Sequence, residues 1–177
     1  YNSAMKEYRL FMVKYPFHHF KVPSTARTKK RAITKEKILR LRDLEYEKET
    51  PIWHTRNYAL IMFYCRGMNL MDLVQLKVSN IQSGRIFYGR SKTGSALSVK
   101  ITDELQAILN YYLNDKLDFD YIFPANYDGS TRHMEKYRSI RRRMNENLRI
   151  IAKDAGIDEK LTTYTIRHTW ATIAKHM

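Results

Sequence analysis

Near the C-terminal end of the chain, Leu161 to Ile173 reads Leu-Thr-Thr-Tyr-Thr-Ile-Arg-His-Thr-Trp-Ala-Thr-Ile. Ile166, Trp170, Ile173 and Ala174 recur at three- and four-residue spacing, and Thr162 or Thr163 stands where a side-chain oxygen caps a helix. The spacing predicts a buried helix whose first turns carry Arg167 and His168. A cation at the edge of an apolar interior needs an anionic partner, because an unpaired buried charge is costly. A carboxylate of the protein itself meets that need as an internal salt bridge, and a phosphate from outside meets it as a ligand. The spacing leaves both open.

The charge of the whole chain bears on that choice. Lys plus Arg number 32 against 18 Asp plus Glu, for a formal net charge of +14. A globular chain this basic takes a polyanionic partner, with nucleic acid first among them. Charge does not choose among polyanions, so a ribosome-associated RNA-binding protein or a membrane-surface protein stays open. Hydrophobic residues at 44% and aromatics at 12% exclude a disordered chain. The length of 177 residues suits one domain, or one domain with a fragment of another. Cys65 is the only cysteine, so neither an intrachain disulfide nor a Cys-based metal site can form. It sits in an apolar run and reads as a small buried hydrophobe rather than a nucleophile. That run, Tyr58 to Cys65, is far shorter than the roughly 20 residues that span a bilayer. With no cleavable signal pattern at the start, a cytoplasmic setting and no membrane partner are expected.

Met5, Tyr8, Leu10, Phe11 and Val13 read as the last helix of something larger over residues 1–20, ended by Tyr15-Pro16-Phe17 because proline cannot continue the ladder. Residues 21–31 read as a basic linker closing on Lys29, Lys30 and Arg31. Those cations are either simply solvated or lie on the backbone of a duplex passing between two domains. Residues 32–177 carry the main pattern. Thr34 caps a helix from Lys35 to Leu44. His54 to Arg66 is apolar nearly all round, as a central core helix is, and Gly67 ends it. Asn69 opens a short helix, Leu70 to Leu76, whose spacing also suits a helix-turn-helix reader, although no second helix with base-reading side chains follows. Ile81 to Tyr88 and Ala96 to Ile101 alternate as two strands of a hairpin, with Ser91-Lys92-Thr93-Gly94 as its tip. Thr102-Asp103-Glu104 caps the next helix, with Leu105, Ile108, Leu109 and Tyr112 inward. After a polar loop from Asn126 to Arg132, the residues Tyr137, Ile140, Met144, Leu148 and Ile151 stripe a long helix that Gly156 ends. Arg138, Arg141, Arg142, Arg143 and Arg149 load its other sides, as a solvated face or as a second phosphate-binding surface. The fold class is mainly α with a small antiparallel β-sheet, an α+β domain.

The segment Tyr164 to Thr172, Tyr-Thr-Ile-Arg-His-Thr-Trp-Ala-Thr, resembles the second catalytic box of the tyrosine recombinases, the phage-integrase family. That box usually reads His-x-x-Arg-His-Thr-Phe-Ala-Thr, so Tyr164 stands where the family has His. Arg66-Gly67-Met68-Asn69-Leu70-Met71-Asp72-Leu73 is similar to the first box, Thr-Gly-Leu-Arg-x-x-Glu-Leu. Asp72 matches the Glu and Asn69 occupies the arginine position. Arg66, three residues earlier, supplies the missing guanidinium if the turn there is helical, and is otherwise a structural ion-pair partner. The Arg-Gly-Met form resembles integrases of Bacteroides-type mobile elements. Lys92 matches the hairpin lysine that reaches the minor groove in this family. Without the resemblance, Lys92 flanked by Arg90 is a solubilising surface charge. Tyr15-Pro16-Phe17 and the linker are similar to the turn and basic linker that join an arm-like DNA-binding domain to the catalytic domain. The resemblance covers roughly Arg31 to Met177 and implies a tyrosine-recombinase catalytic-domain-like fold.

It also implies the chemistry. In this family a tyrosine attacks a phosphodiester, giving a 3′-phosphotyrosyl link and a free 5′-hydroxyl without metal or nucleotide cofactor, on duplex DNA held in a tetrameric synapse. A pentavalent phosphorane carries more charge on its equatorial oxygens than the ground state, so preorganised guanidiniums stabilise it preferentially. Arg167 and Arg66 would fill that role, and Lys92 that of general acid to the leaving oxygen. Tyr164 can donate a hydrogen bond to a phosphate oxygen, but a phenol with a pKa of about 10 cannot replace a neutral-pH base. His168 either assists it or holds the helix. The family places a further Gly-His or Gly-Trp box and the nucleophile well downstream of Arg167, whereas ten residues follow it here. The expectation is a recombinase catalytic domain truncated before its nucleophile segment, inactive alone for cleavage, with a C-terminal helix lacking its packing partner. The alternatives are a non-catalytic duplex-DNA-binding module on the same scaffold, and an RNA-binding protein.

Overall fold

The computed structural model describes residues 32–176. The N-terminal helix, the linker and Lys29, Lys30 and Arg31 lie outside the described residues. The described part is mainly helical with one small antiparallel sheet, as the patterning predicts.

Helix α1 (Lys35–Asp43) starts at Thr34, whose side chain accepts from the Lys37 N–H, and it buries Ile38 and Leu41. Helix α2 (Pro51–Tyr64) is the axis of the core. Thr50 caps it and Pro51 takes the first helical position, where a missing N–H leaves no bond unmade. Five consecutive residues, Tyr58 to Met62, are buried. Such a run is possible only for a helix covered on all sides, and α2 is packed by every other helix of the described residues. Cys65 closes it, fully buried, and burial pushes its thiol up to about 12, which leaves it inert.

Helix α3 (Leu70–Val74) is short and buries Leu70, Asp72, Leu73 and Val74. A helix with so little exposed surface cannot enter a DNA groove, so the helix-turn-helix reading fails. A single 3-10 turn (Val78–Asn80) leads into the sheet.

The sheet has three strands, β1 (Ile81–Gln82), β2 (Arg85–Gly89) and β3 (Ala96–Lys100), in sequential antiparallel order. The single strand expected from Ile81 to Tyr88 is therefore two. Ser83 and Gly84 have φ of 48° and 69°, the paired left-handed conformation of a two-residue hairpin turn, and they fold β1 back onto β2. Ile86 faces Val99 across β2 and β3, and this buried pair turns one face of the sheet to the core.

Helix α4 (Asp103–Leu113) is capped by Thr102 and buries Leu105, Leu109 and Tyr112. Beyond it, Ile122 and Phe123 drop into the core while the Ile122 N–H donates to the Leu76 carbonyl at 2.9 Å. Helix α5 (His133–Asp154) buries Ile140, Met144, Leu148 and Ile151 along the expected stripe. It ends in a Schellman motif: Gly156 has φ 60°, and the Ile157 and Gly156 N–H groups donate to the Ala152 and Lys153 carbonyls.

Helix α6 (Thr163–Lys175) begins at Thr162, whose hydroxyl accepts from the Thr165 N–H at 3.1 Å. Only its first half is buried, through Thr165, Ile166 and Thr169. Trp170 and Ile173 are half-buried and Ala174 is exposed, so the expected apolar face is incompletely covered. α6 packs on α2 and α5, and its buried residues all lie in its first two turns. No helix of the described residues is long and apolar enough to cross a membrane.

Candidate phosphate-binding site

The site begins where α2 stops. After Cys65 the backbone turns left-handed at Arg66 (φ 58°) and Gly67 (φ 70°), reverses, and presents Asn69 at the mouth of α3. Arg167 projects from the second turn of α6 into this reversal. Its Nη1 donates to the Gly67 carbonyl at 2.8 Å and lies 3.3 Å from Asn69 Oδ1. The approach is close enough that a Cβ on Gly67 would stand 3.2 Å from the Arg167 carbonyl oxygen. Glycine is needed twice over here, for its dihedral and for its lack of bulk.

Both acceptors of Arg167 are neutral, and among the described residues no carboxylate pairs with it. The internal salt bridge is therefore not what satisfies this guanidinium. A half-buried cation oriented by neutral carbonyls keeps its charge available to an outside anion, which is the electrostatics of a phosphate site.

Arg66 does not stand where a helical turn would place it. The left-handed backbone removes the helical spacing on which its expected approach to Arg167 depends; its side chain is exposed, and no hydrogen bond or ion pair joins it to the site. The residue that meets Arg167 directly is Asn69, at the position where the family has arginine.

Asp72 ties the hairpin to this cluster. It is 4% exposed, and its Oδ1 accepts from both the backbone N–H (2.9 Å) and the hydroxyl (2.6 Å) of Ser91. The tip is a closed turn: the Thr93 and Gly94 N–H groups both donate to the Arg90 carbonyl, with Gly94 at φ 69°. Lys92 stands exposed at that tip, one residue from the Asp72 clamp, and Arg90 is half-buried on its other side. Tyr88, at the root of the hairpin, has its phenol pushed up by burial and sits within electrostatic reach of Asp72, Arg167 and Arg90. The hairpin and the Arg167 cluster are thus neighbours. Asp72→Ala leaves the Ser91 N–H without its acceptor, which costs about 1–3 kcal/mol. Faster hydrogen exchange at Ser91, with a lowered denaturation midpoint, is the expected result; unchanged exchange would show that Asp72 does not hold the tip.

Tyr164 and His168 lie one turn apart on α6 and stack edge to face, with ring centroids 4.1 Å apart. Tyr164 is 51% exposed, whereas His168 Nε2 is buried and has no hydrogen-bond partner among the described residues. Tyr164 and Asn69 line one polar groove with Arg141 of α5. Arg142, next along α5, faces Glu146 at 3.8 Å, and Arg143 lines a different groove beside Asn126 and Ile140. The structure so brings Arg167, Tyr164, His168, Asn69 and Arg141 to one region, with Lys92 on the adjoining hairpin, and sends Arg142 and Arg143 elsewhere. Sequence reasoning passed over Asn69 as a partner of Arg167, because no local pattern joins residues 98 apart. Among the described residues no group of three or more His, Cys, Asp or Glu side chains is placed to hold a metal ion.

A helical domain with one three-stranded sheet, an arginine presented from the C-terminal helix and a lysine-bearing hairpin beside it defines the catalytic-domain class of tyrosine recombinases. Residues 31–175 match the model of the phage integrase family, and the chain belongs to that family. It is 25% identical over 159 residues to the tyrosine recombinase XerD of Listeria innocua serovar 6a, an alignment covering 82% of this chain and 51% of the relative. The chain therefore spans about half the length of the curated relative it matches. Among solved structures, the XerA recombinase superposes with a TM-score of 0.53 at 24% identity, covering 81% of this chain and 50% of that one. The lambda integrase (residues 75-356) bound to DNA gives 0.55 at 18% identity, covering 85% and 54%. XerH bound to difH substrate in a pre-cleavage complex gives 0.57 at 18% identity, covering 82% and 43%. These likenesses establish the fold.

Proposed function

We propose that this chain is the catalytic-domain part of a site-specific DNA recombinase, which cleaves and rejoins duplex DNA through a phosphotyrosine intermediate. The observation that carries the reading is Arg167, held by neutral acceptors and left without a carboxylate partner among the described residues. Its guanidinium binds the non-bridging oxygens of the scissile phosphate. A tyrosine oxygen forms the new bond to phosphorus, the bond to the 5′-oxygen breaks, and that oxygen takes a proton from Lys92. Tyr164 donates to a phosphate oxygen, and His168 backs it through the ring stack. Neither a metal nor a nucleotide takes part.

Residues 1–20 end a core-binding domain, and residues 21–31 are a linker whose Lys29, Lys30 and Arg31 lie along the duplex backbone; Arg90, Arg142 and Arg143 add phosphate contacts. The Arg-Gly-Met form of the first box supports an integrase of a Bacteroides-type mobile element. A cytoplasmic, tetrameric assembly on DNA goes with this activity, in keeping with solved structures of the same fold that include a lambda integrase tetramer bound to a Holliday junction.

Duplex binding across a salt series, in parallel with cleavage of a nicked suicide duplex by the full-length protein, tests this reading. Affinity should fall steeply with salt as counterions are released, and a covalent 3′-phosphotyrosyl adduct should accumulate. The 177-residue chain alone should bind without forming an adduct. Binding without an adduct by the full-length protein would establish the non-catalytic DNA-binding module instead, and preference for RNA would overturn both.

A further inference from the structure

A phosphorane spreads charge over several equatorial oxygens, which a second guanidinium would stabilise further, and the first box has asparagine where the family has arginine. Arg66, the nearest arginine in sequence, is exposed on a left-handed turn, and among the described residues no hydrogen bond or ion pair joins it to the site. Another arginine reaches the groove beside Asn69 from a different element. Tyr137, Arg141 and Asn145 recur at four-residue spacing on α5 and so form one ridge. At its near end, Asn145 Oδ1 accepts the Thr163 N–H of α6 at 3.1 Å, which fixes this ridge against the start of the helix that carries Arg167. One turn back, the Arg141 guanidinium lies 5.8 Å from the centre of the Tyr137 ring, which stacks under it and limits its freedom.

Arg141 also has no carboxylate partner among the described residues, whereas its neighbour Arg142 faces Glu146. The groove it lines is shared with Asn69, Tyr164, Thr162 and Thr163. Asn69 is thus the hinge of the arrangement: its Oδ1 is 3.3 Å from the Arg167 guanidinium on one side, and its other side faces the groove that Arg141 enters. An asparagine is too short and uncharged to neutralise a phosphate itself. It leaves the space that a family arginine would fill, and a long side chain from α5 is poised at that space.

Resting on the recombinase reading, we propose that Arg141 supplies the second guanidinium of the active site, binding a non-bridging oxygen of the scissile phosphate across Asn69 from Arg167. In this assignment α5 contributes a catalytic residue as well as a backbone-binding face, and Asn69 keeps the groove open for it. Tyr137 is then a positioning residue that holds the guanidinium over its ring.

The test uses the full-length protein on a nicked suicide duplex, measuring the single-turnover rate of adduct formation and, separately, duplex affinity. Arg141→Ala should slow adduct formation by about 10²–10³-fold, as removal of one transition-state donor does. Affinity should change no more than in Lys153→Ala, an exposed cation in the last turn of α5, which should keep its cleavage rate. Arg141→Lys should recover part of the rate. The decisive variant is Asn69→Arg in the Arg141→Ala background, which should restore cleavage by filling the same space from the other side. Thermal denaturation of Arg141→Ala should match wild type, since the residue is exposed. If Arg141→Ala cleaves as fast as wild type, or if Asn69→Arg restores nothing, the assignment is wrong while the recombinase reading stands. If the wild-type protein forms no adduct, the recombinase reading itself fails and the assignment with it.

Discussion

Arg167→Ala should abolish phosphotyrosyl adduct formation by the full-length protein, with a loss on the order of 10³-fold or more in the single-turnover rate. The size follows from the geometry. The guanidinium is half-buried at the start of α6, its Nη1 is engaged by the Gly67 carbonyl and Asn69 Oδ1, and its Nε and Nη2 have no protein acceptors among the described residues. Those donors are pre-aimed, so no reorganisation is needed when charge builds on the phosphorane oxygens. Arg167→Lys should rescue little, because a lysine offers a point charge in place of a planar fork. Ground-state affinity should fall far less than the rate, since the chain carries 32 Lys plus Arg, many of them available to a duplex. Equal losses in affinity and in rate constant would show that Arg167 is an ordinary backbone contact. Undiminished cleavage would remove it from the site.

The second large effect is structural. Gly67→Val places a β-branched residue at φ 70° and pushes its Cβ against the Arg167 backbone, 3.2 Å from the carbonyl oxygen. Left-handed strain and the forced displacement of α6 together should cost about 3 kcal/mol, read as a lowered urea midpoint. Gly84→Ala gives the control. Its glycine has the same left-handed backbone, φ 69°, but nothing within 4 Å of a built Cβ. It should therefore lose only the strain, roughly 1 kcal/mol. If Gly67→Ala costs no more than Gly84→Ala, the close approach of α6 to the Gly67 reversal is not rigid. If it costs more, the difference measures how tightly Arg167 is held, and cleavage by the full-length variant should fall with it.

Elements whose signals lie within four residues were readable in the chain. Thr34, Thr102 and Thr162 each cap the helix their spacing announces, and Gly156 ends α5 through a left-handed residue that only glycine adopts freely. The apolar stripe of α5 appears where the period of a helix puts it. The Ser83-Gly84 turn is a weaker signal of the same kind, overridden by the alternation on both sides of it, so the pattern alone reads as one strand where the fold has two. Periodicity says which side of α6 is apolar and not how far along it the neighbours extend; its half-covered far end accords with a helix that lacks a packing partner.

For the candidate site, residue types were legible and partnerships were not. The Arg-His pair on an apolar helix stated that an anion is required, and net charge pointed to a polyanion. Whether that anion is a carboxylate of the protein depended on what stands across from Arg167, and the answer, the Gly67 carbonyl and Asn69, comes from residues 100 and 98 positions away. The Asp72 clamp on Ser91 and the Arg141 ridge beside Asn69 are of the same kind. Local sequence determines helices, caps and turns because those energies are local. Only the packing of α2, α5 and α6 decided that Arg167 keeps its charge for a ligand, because long-range contacts exist only once the chain has closed around its core.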